Sequence, residues 1–307
     1  MNTGFRRIAA LAACTLALQF AGACAAEPKR LPTPVEGRPL KIHAGPAMWK
    51  VSDKDTTIYL FGTIHFLPRD VEWLDEDLRA ALQSSGELVT EIDPKEDAKL
   101  TELMATAAFL PEGENLRDKL APEDRMAFEG MLVSLGIPVE QFDRYKPWSA
   151  GLYLSVMMTL KAGFDPEKGV ETIVAENAAP GSTRSALETM AFQVDLFDHL
   201  PQEQQIAYLN QVVVSAPTLQ QDLDAMLAGW LKGDAKVLAQ MMNAEESDPV
   251  LYKRLLTDRN ANWARWIKGR LARPGTVFIA VGAGHLAGKG SVQDQLKKLG
   301  LRSKRVH

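Results

Sequence analysis

Tyr59-Leu60-Phe61-Gly62-Thr63-Ile64-His65 is an apolar run closed by a glycine and, three residues on, a histidine. Phe278-Ile279-Ala280-Val281-Gly282-Ala283-Gly284-His285 repeats the pattern, its histidine 220 positions after the first. A continuous apolar run with turn signals at its end reads as a strand buried on both faces, the habit of parallel sheets in α/β proteins. Glycine lets backbone turn sharply or approach another group closely where such a strand ends. Each Gly-x-x-His therefore delivers an imidazole to a strand end, and the two motifs read as halves of one site.

Working outward from the first motif, Met48–Ser52 and residues 57–61 flank Asp53-Lys54-Asp55, a hairpin signal whose second arm carries His65. After Pro68, leucines 74, 78 and 82 recur at a spacing of four and predict a helix stopped by Gly86. Glu87-Leu88-Val89-Thr90-Glu91-Ile92-Asp93 then reads as a short strand with acids at its far end. Strand, helix and strand at these lengths make a parallel crossover. That unit puts His65 and Glu91 at the carboxyl ends of neighbouring strands, the edge where open α/β sheets place ligands.

From about residue 98 to 273 the periodicity is mostly helical, with helices over 122–135, 147–162, 202–214, 219–232 and 234–243 and no clear repeat. Within it, residues 183–189 are a strand candidate with Glu188 near the end. Asp248 as N-cap and Pro249 at the first position open a helix to about Leu271. Its apolar stripe of Leu251, Leu255, Trp263 and Ile267 has Arg259 in the gap, beside Asn260. A guanidinium on a buried face needs a carboxylate, because an unpaired buried charge costs several kcal/mol or more. Beyond the second motif, residues 291–299 predict a last helix and 301–306 an edge strand. The predicted fold is α/β: a central mixed sheet with paired strand-Gly-x-x-His motifs and a large helical insertion.

Ahead of this domain, Met1 to Ala26 has Arg6 and Arg7, an apolar run from Ile8 to Ala23, and small residues at Ala21, Ala23 and Ala25. This is the three-part pattern of a secretory signal peptide, and it predicts a periplasmic or secreted protein beginning near Ala26 or Glu27. The apolar run falls short of the ~20 residues that a spanning helix needs. Cys24 offers an alternative, a lipid anchor, although Ala21 stands where a lipoprotein signal has leucine. Residues 27–47 read as an extended lead-in and 48–307 as a single domain interrupted by the helical insertion. The two cysteines, Cys14 and Cys24, both precede that domain, so no internal disulfide supports it.

The formal charge of -4 becomes -6 once Arg6 and Arg7 are removed, and no block of like charge stands out. Nucleic acid is not indicated as a partner. Gly282-Ala283-Gly284-His285-Leu286-Ala287-Gly288 lacks the Lys-Ser/Thr ending of a phosphate loop.

Two of the five histidines thus occupy equivalent strand ends. Imidazole suits zinc, manganese or cobalt, and a carboxylate such as Glu91 or Glu188 would complete an open site with room for water. A divalent ion there would polarise a carbonyl and make hydroxide available near neutral pH. A structural pair of hydrogen-bonded histidines, with Glu91 and Glu188 as ordinary solvated acids, is the plainer alternative.

Trp49-Lys50-Val51, the two Gly-x-x-His motifs, Glu91-Ile92-Asp93, Lys146-Pro147-Trp148, Leu187-Glu188-Thr189 and Arg259-Asn260 with Trp263 together resemble the TraB/GumN family from about residue 47 to 306. That family is similar to the TIKI metalloproteases, which depend on manganese or cobalt, and more distantly to the erythromycin esterase and ChaN groups. The resemblance implies His65, His285 and Glu91 as metal ligands. It implies Glu188 as ligand or general base, with Arg259 and Asn260 holding a substrate carbonyl or carboxylate. The family often has aspartate after Gly-Val, whereas this chain reads Gly169-Val170-Glu171. The activity so implied is that of an exported metal-dependent hydrolase, a peptidase. The rival reading is a binding protein of the cell envelope that sequesters a peptide or small ligand without cleaving it.

Overall fold

A computed structural model describes residues 45–242 and 249–307. The leader with both cysteines, most of the lead-in with His43, and the predicted cap Asp248 lie outside the described residues. In chain order the elements are β1 (Met48–Ser52), β2 (Thr56–Thr63), α1 (Glu76–Gln83), β3 (Glu87–Thr90), α2 (Asp97–Ala107), α3 (Pro122–Leu135), α4 (Pro147–Lys161), α5 (Val170–Asn177) and β4 (Thr183–Ala186). There follow α6 (Met190–Asp198), α7 (Gln202–Ser215), α8 (Leu219–Leu231), α9 (Ala235–Met242), α10 (Pro249–Tyr252), a π-helical turn over Lys253–Thr257, α11 (Asp258–Arg270), β5 (Gly275–Gly282), α12 (Val292–Lys298) and β6 (Lys304–Arg305).

The described residues divide into two compact units. One takes residues 95–162 and 190–222, the other 45–94, 163–189, 223–242 and 249–307, so the stretch read as a helical insertion is shared between them. The first unit is built on buried aromatics: Phe128 of α3, Trp148 of α4, and Phe197 and Tyr208 of α6 and α7. Here Lys146-Pro147-Trp148 has a structural task. Pro147 starts α4 at its first position, where a missing N–H costs nothing. Lys146 Nζ and Trp148 Nε1 both donate to Asp198 Oδ1, at 2.5 and 3.0 Å. A mostly apolar groove of about 620 Å³ in this unit runs past Met131, Met158 and Val214.

The second unit contains the whole sheet, in the order β4-β3-β5-β2-β1-β6. β2, β3, β4 and β5 are parallel, and β1 and β6 close one side antiparallel. Asp53 Oδ1 accepts from the backbone N–H of Asp55 and Thr56 and so shapes the β1–β2 hairpin, as a short polar side chain in a turn does. One expectation is corrected: β2 and β3 are not neighbours, because β5 inserts between them, pairing Leu60 with Ile279 on one side and Val89 with Ile279 on the other. The physical reason is burial. From Val277 to Val281 every residue of β5 is almost wholly covered, and a strand apolar on both faces gains most from the centre.

On one face Val51, Ile58, Leu60, Val89, Ile279 and Val281 pack beneath Trp263 and Ile267 of α11 and Leu296 of α12. Each such side chain contributes about 1.5–3 kcal/mol on burial. On the other, Phe61 stacks on Trp73 at 5.5 Å between ring centres, and Trp230 meets both rings edge-on. Trp230 Nε1 donates to the Gly62 carbonyl at 2.7 Å, which pins the end of β2. Among the described residues no helix is long and apolar enough to cross a membrane.

Candidate active site

The four parallel strands run the same way, so their carboxyl ends share one edge, and each is followed within a few residues by a chemically active side chain. His65 follows β2, Glu91 follows β3, Glu188 follows β4 and His285 follows β5. The two histidine motifs also pack on each other. A Cβ on Gly62 would lie 3.0 Å from the Ala283 Cα, so the first motif needs glycine to let the second turn against it.

Arg259, from the start of α11, is the hub. Its Nε and Nη2 donate to the two oxygens of Glu188 at 2.9 and 2.8 Å, and Nη2 also donates to Glu91 Oε2 at 2.7 Å. Nη1 donates to the Leu255 carbonyl at 3.1 Å and contacts His285 Nε2 at 3.1 Å. A guanidinium has five N–H groups, and here all five are engaged. The Leu255 carbonyl belongs to the π-helical turn, a deviation that recurs at functional sites. Trp263, one turn further along α11, lies with its ring 5.0 Å from the guanidinium carbon and donates Nε1 to Glu188 Oε1 at 2.8 Å.

These contacts fix the state of His285. Asn260 donates Nδ2 to the Gly290 carbonyl at 2.9 Å, which turns its Oδ1 toward His285 Nδ1 at 2.6 Å. Nδ1 therefore carries the proton, and the Nε2 lone pair accepts from Arg259. Burial and the neighbouring guanidinium hold the imidazole neutral, pushing its pKa down to about 3. Burial alone would raise the Glu91 carboxyl, but Arg259, His285, His65 and the Gly282 N–H together outweigh it, and the group is held at about 2. Gly282 N donates to Glu91 Oε1 at 2.7 Å, tying the end of β3 to the end of β5.

His65 stands in a different environment. Glu171 Oε1, from the first turn of α5, approaches His65 Nδ1 to 2.7 Å. That ion pair leaves His65 Nε2 and Glu171 Oε2 buried without a hydrogen-bond partner. Burial works against a charged His65, yet Glu171 and Glu91 together outweigh it and raise its pKa. The backbone brings the two together: Val170 N donates to the Ile64 carbonyl at 3.0 Å, and Leu67 and Asp165 exchange hydrogen bonds at 3.3 and 2.9 Å. A Cβ on Gly169 would fall 2.2 Å from the His65 carbonyl oxygen, so only glycine admits this approach.

All the side chains singled out from the sequence, His65, His285, Glu91, Glu188, Arg259 and Asn260, thus lie in the second unit, with Glu171 and Trp263 among them. Arg259 meets protein carboxylates rather than an open space, and Asn260 faces His285. Glu171 is the residue that periodicity missed; its only signal was the Gly-Val preceding it. The remaining described histidines stand apart: His199 pairs with Asp195, and His307 contacts Asp75 and the Pro46 carbonyl.

Whether the cluster suits a divalent ion is decided by its donors. His285 Nε2 and Glu91 Oε2 both face Arg259, and among the described residues no three His, Cys, Asp or Glu side chains gather as a ready metal site. An ion does not fit between His285 and Glu91 in this arrangement. The His65 side does fit one, because His65 Nε2 and Glu171 Oε2 are buried there without a hydrogen-bond partner.

The model of the TraB/PrgY/gumN family matches residues 47–305, and the chain belongs to that family. Among its relatives is the Escherichia coli (strain K12) protein YbaP, 25% identical over 78% of this chain and 87% of its own length. A Treponema pallidum (strain Nichols) protein is 21% identical over 83% of this chain and 81% of its own. The Danio rerio protein Metalloprotease TIKI1 is 24% identical over 82% of this chain and 61% of its own. No solved structure matches the chain.

Proposed function

We propose that the protein is an exported, metal-dependent hydrolase acting on peptides. The observation that carries this reading is the convergence of His65, Glu91, Glu188 and His285 from four parallel strand ends onto one buried cluster. The similarity to a protein named as a metalloprotease supports the same reaction class, and the leader pattern supports a periplasmic or secreted location.

The ion, of manganese or cobalt type with zinc as the alternative, would be held on the His65 side. When bound it would polarise a carbonyl and lower the pKa of a bound water. The protein's own groups divide the remaining work. Glu91, at about 2, and His285, at about 3, are too weak as bases to take a proton near neutral pH. Their task is electrostatic: with Glu188 they hold Arg259 rigid, so a fixed charge stands beside the reacting group without rearrangement. A general-base role for Glu91 is therefore not part of the proposal.

Cleavage of a mixed peptide library, read by mass spectrometry, tests it. Manganese-dependent products are expected from the wild type and none from His65→Ala of unchanged circular dichroism. Absence of manganese-dependent products from the wild type would overturn the hydrolase reading and leave peptide sequestration.

A further inference from the structure

We infer that Glu171 and His65 form a divalent-cation site, Glu171 supplying the carboxylate ligand in place of Glu91. The inference rests on the metal-dependent reading above and names the residues that would hold the ion. Two buried polar atoms of this pair, Nε2 of His65 and Oε2 of Glu171, have no hydrogen-bond partner, and Nδ1 and Oε1 meet each other at 2.7 Å. Each such unpartnered atom costs about 1–3 kcal/mol when nothing is bound to it, so a folded protein rarely keeps two together without a ligand. An imidazole and a carboxylate are the donors that manganese and cobalt accept.

Charge and rigidity agree. Arg259 meets the charges of Glu91 and Glu188, while Glu171 faces His65, so a cation is accommodated there. Arg259 engages Glu91 and both oxygens of Glu188, which leaves Glu171 as the carboxylate outside its reach. The pair is held by backbone rather than by side-chain packing: Val170 N on the Ile64 carbonyl, the Leu67–Asp165 exchange, and the close passage of Gly169 over His65. Two protein donors leave the rest of the coordination to water or substrate, as hard divalent ions commonly require and as hydrolysis needs.

Calorimetric titration of Mn²⁺ and Co²⁺ into metal-stripped protein tests this, alongside the visible spectrum of the Co²⁺-loaded form. Wild type is compared with Glu171→Gln, Glu171→Asp and Glu91→Gln, each checked for fold by circular dichroism. The expected result is about one ion per chain, an affinity loss of at least about tenfold in Glu171→Gln with an altered cobalt spectrum, and partial recovery in Glu171→Asp. Glu91→Gln is expected to lose less. Unchanged affinity in Glu171→Gln beside a binding wild type would overturn the Glu171 assignment and leave the hydrolase reading standing. Absence of binding in the wild type would overturn both.

Discussion

Arg259 and His65 lie in the same cluster and are equally buried to within a few per cent, yet their surroundings are opposite in kind. Every N–H of Arg259 reaches an acceptor, and the groups that receive it are themselves tied to backbone, to Asn260 or to Trp263. His65 has one short ionic neighbour, and its Nε2 has no hydrogen-bond partner. The first environment is a finished structural element, whereas the second retains binding capacity. A site can therefore be stable and chemically open at once when the two duties fall on different side chains.

The sharpest way to break this comparison is to delete each centre in turn. Arg259→Ala leaves Glu91 and Glu188 buried without their cation and is expected to cost about 3–5 kcal/mol in urea unfolding. His65→Ala breaks a single ion pair, with the partly exposed Glu171, and should cost less, about 1–2 kcal/mol. Equal costs would show that the division is false.

Acid comes next. Glu91 is depressed from 4.5 to about 2, so its stabilisation is complete above 4.5 and is lost as pH falls toward 2. The shift corresponds to about 3 kcal/mol at one unit per ~1.4 kcal/mol. His285, lowered from 6.5 to about 3, acts in the same direction, because the unfolded chain takes up a proton below 6.5 that the folded one refuses. His65 is raised, so its contribution has the opposite sign: present below 6.5 and lost as pH rises through its folded value. Unfolding midpoints from pH 7 to 3 should therefore fall, and Glu91→Gln should flatten the part below pH 4.5. A wild-type profile that rises toward acid would contradict the assignment.

A smaller effect is expected from Gly169→Ala. Its Cβ would meet the His65 carbonyl oxygen at 2.2 Å, so α5 must move, at about 1–3 kcal/mol, taking Glu171 off His65 and weakening Mn²⁺ binding. Smallest is Asn260→Ala, about 1 kcal/mol, with the His285 ring nitrogens changing their proton assignment in ¹⁵N spectra. An unaltered spectrum would show that Asn260 does not set the tautomer.

Much of this was legible in the sequence because it rests on long apolar patterns. The two Gly-x-x-His strands, the crossover to Glu91 and the helices over 122–135 and 147–161 follow from periodicity and turn residues. Arg259 was legible because a charge in an apolar stripe must find a partner, and Glu188 because an acid ended a strand pattern. The insertion of β5 between β2 and β3 was hidden, since pairing over 200 residues of chain leaves no local trace. Glu171 was visible only through the resemblance, at the position after Gly-Val, because by periodicity an acid in the first turn of an eight-residue helix looks like an ordinary favourable charge at a helix start. Its meaning comes from Gly169 and from a backbone approach that only three dimensions contain.

The π-helical turn over Lys253–Thr257 bears on chain length as well as on chemistry. Side chains spaced strictly by four overshoot a full α-helical turn by about 40° each time, so Leu251 and Ile267 would end roughly 160° apart. A turn closed by i→i+5 bonds absorbs one extra residue and brings the pattern back into phase, and Leu255, Arg259, Trp263 and Ile267 are all buried. Removing Arg254 alone would spare every group named above, yet rotate α10 against α11. The cluster is thus vulnerable to an error of counting as well as to one of substitution, and the unfolding assay used for Arg259→Ala would register such a deletion as a loss of comparable size.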